Sequence, residues 1–140
     1  MGKINFGRVL LGGIVAGLIL NIGEWALNGF VLHQQHLALL KRCGFPEPDA
    51  KFLVIVVALT FVLGIVMVLG YAAIRPRFGP GPKTAIIAGL FAWFGVAVFN
   101  NVIAAGLGIE PPNMLALLLG WELVEFLLAT LVGAALYKEA

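Results

Sequence analysis

Hydrophobic residues in this chain fall into four long blocks, residues 9–32, 52–74, 85–109 and 114–137, with most polar residues gathered between them. Each block reaches the roughly 20 residues that a helix needs to cross a hydrocarbon core of about 30 Å. A backbone in lipid must satisfy its own polar groups, so such blocks predict helices. The alternating segments of about ten residues that mark a transmembrane barrel are missing. The expected fold is all-α: an integral membrane four-helix bundle of two transmembrane hairpins, forming a single transmembrane domain over residues 1–140. Composition agrees, with 61% hydrophobic and 11% charged residues, against about 25% charged in a typical soluble domain.

The connections carry the next layer of information. In residues 33–50, HQQHLALLKRCGFPEPDA, a helix is expected to lie in the interface with Leu37, Leu39 and Leu40 toward lipid. Pro46 and Pro48 then break it, and Asp49 is placed to cap the second span. His33 and His36 lie one turn apart there, but without a third ligand they read as interfacial polar residues, and no metal site is expected. Cys43 stands alone, so it forms no intramolecular disulfide and reads as a spectator thiol. Residues 75–85, RPRFGPGPKTA, predict a tight hairpin loop with three basic residues near lipid headgroups. The loop fails the phosphate-binding pattern G-x-x-x-x-G-K-[ST], because Pro82 takes the last glycine position.

Charge sets an expected orientation. Lys3, Arg8, Arg75, Arg77, Lys83 and Lys138 fall on one side of a four-span topology, and Lys41, Arg42 and Lys51 on the other. Six against three predicts both termini in the cytoplasm. The basic start followed by a Gly/Leu/Val run has the outline of a signal peptide. That run is too long and lacks a small-x-small cleavage site, so it reads as a retained first span. The net charge of +2 resides in the loops. No basic stripe with interleaved aromatics is present, so no nucleic-acid partner is expected.

Two halves of the chain suggest a tandem 2+2 repeat. AGLILNIGEWALN, residues 16–28, and AGLFAWFGVAVFN, residues 88–100, share Ala, Gly, Leu, Gly and Asn in one register. Gly70-Tyr71-Ala72-Ala73 corresponds more loosely to Gly133-Ala134-Ala135. Two hairpins of the same orientation would be related by an axis along the membrane normal.

Polar residues inside the spans define the candidate site. Gly13, Gly17, Asn21, Glu24 and Asn28 follow at spacings of four, four, three and four, which puts them on one helical face. Glu122, Glu125, Ala129 and Gly133 form a matching stripe on the fourth span. At about 1.5 Å per residue, Glu24 and Glu122 lie roughly 10 and 13 Å from the outer surface, and Asn21 and Glu125 roughly 15 and 18 Å. Thr60 and one of Asn100 and Asn101 reach a comparable depth; Asn100 is the one taken into the candidate site. Gly13, Gly17, Ala129 and Gly133 would clamp the first and fourth helices together in the inner half. Above that clamp the acids and amides would converge on one another, because a charge facing lipid is costly. No Lys or Arg lies at this depth. The carboxylates must therefore hold protons or a cation, accept hydrogen bonds from Asn and Trp, or meet a wet cavity. Trp25 and Trp121 each sit beside an acid, so either indole N–H is placed to donate; Trp93 reads as packing.

Known chemistries fit poorly. A di-iron bundle requires Glu-x-x-His, and no histidine lies in a span. Bis-histidine haem fails because both histidines share one surface segment. The spans contain no serine, lysine or histidine, so no nucleophile–base pair is visible and no enzymatic activity or cofactor is expected. Asn21-Ile-Gly-Glu24 has the Asn-x-x-Glu spacing of membrane-associated proteins of eicosanoid and glutathione metabolism. It lies in the first span rather than the second and lacks the neighbouring arginine, so that family is not assigned. Gly23-Glu24-Trp25 and the loop YAAIRPRFGPGPKTA, residues 71–85, resemble a group of small four-span bacterial membrane proteins with no assigned activity. The resemblance implies a bacterial inner membrane and four spans, and adds no mechanism.

The leading functional expectation is a non-enzymatic subunit or oligomeric component of a membrane complex, with membrane lipid and a protein partner or second copy around it. The alternative is a small transporter or a cation- or proton-binding protein using Glu24, Glu122 and Glu125. An enzyme acting on a lipid-soluble substrate has the least support.

Overall fold

The computed structural model describes residues 3–139. Helix α1 (Phe6–Ala26) continues through a π-helical segment, Leu27–Val31, and is followed by α2 (His33–Cys43) and α3 (Ala50–Phe78). Helix α4 (Pro82–Ala92), a second π-helical segment (Trp93–Val98) and α5 (Phe99–Gly106) run on as one rod, and α6 (Pro112–Ala135) closes the chain. Four helices are long and apolar enough to cross a membrane: Phe6–Val31, Ala50–Phe78, Pro82–Gly106 and Pro112–Ala135. The fold is the expected helical bundle, and the short α2 occupies the first long connection.

Local signals account for the boundaries. The Asn5 side chain accepts from Arg8 N at 3.2 Å, and Asp49 accepts from Phe52 N at 2.8 Å, capping α1 and α3. Helix α2 ends at Gly44, whose φ of 73° suits glycine, so it stops before Pro46 is reached. The loop expected over residues 75–85 is shorter in the structure. Helix α3 runs on to Phe78 with Pro76 in its last turn, and α4 starts at Pro82, where a missing N–H costs nothing. Only residues 79–81 turn the chain, with Gly79 and Gly81 at positive φ and Thr84 Oγ1 donating to Gly79 O at 2.6 Å.

Helix α1 is the centre of the packing, and adjacent glycines explain how. Neighbouring helix positions point about 100° apart, so Gly12 and Gly13 serve two different neighbours. A Cβ on Gly12 would strike Gly133 O of α6, and one on Gly13 would strike Ile65 Cα of α3. Gly17 likewise packs against α3, where an added Cβ would lie 2.8 Å from Phe61 Cα. The reciprocal position is Gly64, whose Cβ would meet the backbone of Gly13 and Gly17. The clamp expected from Gly13 and Gly17 to Ala129 and Gly133 is therefore corrected. Gly13 and Gly17 hold α1 to α3, and Gly12 is the residue that meets Gly133. Ala16, Ala129 and Val68 fill the space between these crossings and are fully buried.

Two pairs of positions aligned between the hairpins make similar local contacts. Gly89, aligned with Gly17, packs on the next spanning helix of its own hairpin, 3.1 Å from Thr130 Oγ1 as measured from an added Cβ. Asn28 and Asn100, also aligned, each donate to the carbonyl four residues earlier, at 3.0 and 2.7 Å.

The two ends of the bundle are closed differently. At the end holding both termini, Tyr71 and Tyr137 meet edge to face at 5.9 Å, and their hydroxyls accept from Gly81 N and Asn5 N. Arg75 pairs with Glu139 at 2.8 Å and lies over the Tyr137 ring. At the opposite end, Leu27, Leu32, Met114 and Leu118 form a second small core against Trp121. Arg42 of α2 donates to Gly108 O and Ile109 O at 3.0 and 2.6 Å, tying the two connections at that end together.

The glycine crossings predict a sharp contrast between two substitutions. Gly64→Val should destabilise the bundle by about 1–3 kcal/mol or more, because the new atoms meet α1 backbone that cannot give way. Gly70→Ala, with nothing within 4 Å of its added Cβ, should leave stability unchanged. Denaturation midpoints of the two variants in detergent measure the difference.

Candidate functional site

The spanning acids lie in the half of the bundle away from the termini, between α1 and α6. Each is met by one neutral donor. Asn28 Nδ2 donates to Glu24 Oε2 at 2.6 Å, Asn101 Nδ2 to Glu122 Oε2 at 2.8 Å, and Trp121 Nε1 to Glu125 Oε2 at 3.1 Å. Glu24 is within electrostatic reach of both Glu122 and Glu125. Arg75–Glu139 is the only salt bridge among the described residues, so no Lys or Arg neutralises these three acids. No three His, Cys, Asp or Glu among the described residues are grouped to hold a metal ion.

Glu125 is the most enclosed of the three, 5% exposed, and its carboxylate packs directly over Gly23. An added Cβ on Gly23 would lie 2.6 Å from Glu125 Cδ, so the glycine of the G-E-W triplet makes room for an acid on another helix. Trp121 holds one carboxylate oxygen, while Oε1 is buried and accepts no hydrogen bond. Such an orphaned polar atom is costly unless something fills its place.

The remaining sequence candidates divide. Asn28 joins the cluster. Asn21 does not: its Nδ2 donates to Gly17 O at 2.8 Å and lies 3.5 Å from Val57 O, so it faces α3. Asn100 is exposed and bonds Val96 O of its own helix, and Asn101 takes the expected place beside Glu122. The π-helical segment Trp93–Val98 inserts extra residues into the turn just before this pair, rotating the following face beyond what a 3.6-residue count gives. Thr60 bonds Val56 O of its own helix. Trp25 points outward and stacks edge to face on Phe30 at 4.7 Å, so only Trp121 donates to an acid. Trp93 Nε1 donates to Leu119 O at 3.1 Å, joining the third span to α6.

A fourth acid, Glu110, escaped the sequence reading because it lies outside the apolar blocks. Gly108, at φ 72°, turns the chain before it, and the Arg42 bonds hold that turn. Glu110 thereby comes within electrostatic reach of Glu122, with Oε2 buried and unpartnered. Burial pushes its carboxyl above the usual carboxylate range. His36, half-buried on α2 near His33, is held below the usual imidazole value, first by burial and then by that neighbour.

No protein-family model, curated protein or solved structure matches the chain.

Glu110 carries a pH prediction whose sign follows from its raised value. The folded chain binds this proton more tightly than the unfolded one. Its contribution to stability is therefore full below the ordinary carboxylate value and is lost as pH rises through the folded-state value. Glu110→Gln should melt higher than the parent at pH about 8, with the gap closing toward pH about 4. Thermal melts across that range check it; an equal gap at both ends would mean that the charge is not the cause.

Proposed function

We propose that this chain is a small inner-membrane protein of a bacterium, with both termini in the cytoplasm, that binds protons or small cations through the Glu24–Glu122–Glu125 cluster. One observation carries the reading: three acids from two packed helices lie within electrostatic reach of one another without a basic partner, and Glu125 keeps a buried oxygen unpartnered. Acids inside a spanning segment are costly and generally mark ion or proton pathways. The amide and indole donors hold the geometry without supplying the positive charge that would silence the acids. The basic bias of the terminal end and the resemblance of residues 71–85 to a bacterial group support the placement. The reading predicts coupled titration. In nanodiscs, infrared spectra should show that replacing any one of Glu24, Glu122 and Glu125 by Gln moves the titration of the other two. Three independent titrations would remove the proposal's basis.

The subunit reading keeps support from a different observation. Residues 50–59 at the start of α3 are all exposed, including six consecutive large apolar side chains from Phe52 to Val57. A second copy or another membrane protein would cover this run. With cysteine placed at Val54 in a Cys43→Ser background, crosslinking in native membranes should capture a stoichiometric neighbour. A chain that stays uncrosslinked and monomeric would leave lipid as the covering.

A further inference from the structure

Glu125 borders a groove between α1 and α6, about 600 Å³ in volume. That is within the range of small-molecule sites, roughly 300–1,000 Å³. Along α6 it extends from Ala116 to Leu128, about 18 Å at 1.5 Å per residue. Its rim is apolar and exposed on spanning-length helices: Ile22 is 58% exposed and Val124 67%. Gly120 lies in its wall with nothing within 4 Å of an added Cβ, so the space beside it is open. The lining is almost wholly apolar, and its one ionisable group is Glu125.

We propose that this groove binds a membrane-partitioning organic cation, an amine or quaternary ammonium with an apolar body, whose charge is met by Glu125. The assignment rests on the carboxylate-cluster reading and names its ligand class. An apolar rim facing lipid selects a compound that arrives through the bilayer rather than from water. A carboxylate flanked by Glu24 and Glu122, with no Lys or Arg against it, selects positive charge over neutral or anionic headgroups. Glu125 borders the groove and its Oε1 has no hydrogen-bond partner, so an unmatched acceptor lies beside the occupant. Trp121, already hydrogen-bonded to Oε2, also lines the groove, so an aromatic ring stands beside the acid for a cation to meet. A lipid acyl chain would fill the same apolar volume but would leave the acid unmatched.

The test uses the full chain in nanodiscs, with Trp25→Phe and Trp93→Phe leaving Trp121 as the sole tryptophan, excited selectively at the red edge where tyrosine does not absorb. Chain-brominated dodecyltrimethylammonium should quench Trp121 saturably, and equally brominated dodecanol should quench it only weakly and without saturation. Glu125→Gln should weaken the cation's apparent affinity at least tenfold. Gly120→Leu, which fills the open wall without touching the acid, should abolish saturable quenching while melting and circular dichroism stay as in the parent. Equal saturable quenching by the alcohol would make the groove an acyl-chain slot and overturn the proposal. So would parental binding of the cation by both Glu125→Gln and Gly120→Leu. Infrared titration in the same nanodiscs separates the two levels. Coupled carboxyl titration without cation quenching defeats the ligand assignment alone, and uncoupled titration defeats the cluster reading beneath it.

Discussion

The structure depends on how closely one helix, α1, lies against two others. Between helices in lipid there is little hydrophobic driving force, so association relies on van der Waals contact, and contact of that kind needs backbones that approach without side chains between them. Gly12 and Gly13 provide this on two faces at once, toward Gly133 of α6 and toward Ile65 and Gly64 of α3. Farther from the termini, residues 50–59 at the start of α3 are exposed, and a groove lies between α1 and α6.

The same geometry explains why acids are tolerated. Gly23 continues the close approach of α1 to α6 farther along, but here the space is taken by the Glu125 carboxylate instead of backbone. Asn28, Asn101 and Trp121 each supply one hydrogen bond to one acid, drawn from three of the six helical elements or their π-helical extensions. This leaves Glu125 Oε1 buried and unmatched, a feature that packing alone does not require. Two π-helical segments lie in this half, one carrying Asn28 and one just before Asn101. Both lie next to an amide–acid hydrogen bond, in keeping with the frequent use of π-bulges at functional positions.

Much of the fold was legible along the chain, because a spanning helix is dictated by unbroken apolar length and its ends by caps such as Asp49. The small-residue faces were legible too, but not their targets. A glycine stripe announces a close contact without naming the helix that makes it, and both α3 and α6 carry glycines at suitable heights. Gly13 and Gly17 were thus matched to the wrong neighbour. Sequence spacing does not decide between Asn100 and Asn101 either: a π-helical turn changes the angular register, and neither apolar pattern nor composition marks where one forms. Glu110 was missed because a loop residue has no predicted depth until the turn at Gly108 and the Arg42 bonds place it.

By itself, then, the sequence determined the solvent, the four spans, and the presence of uncompensated acids within them. These follow from transfer energies that act residue by residue. Tertiary structure alone decided which helices touch, which amide meets which acid, and that Gly23 on one helix exists to seat Glu125 on another. Those outcomes depend on the rotation and crossing of whole helices, and such properties are set jointly by all the contacts rather than by any one segment.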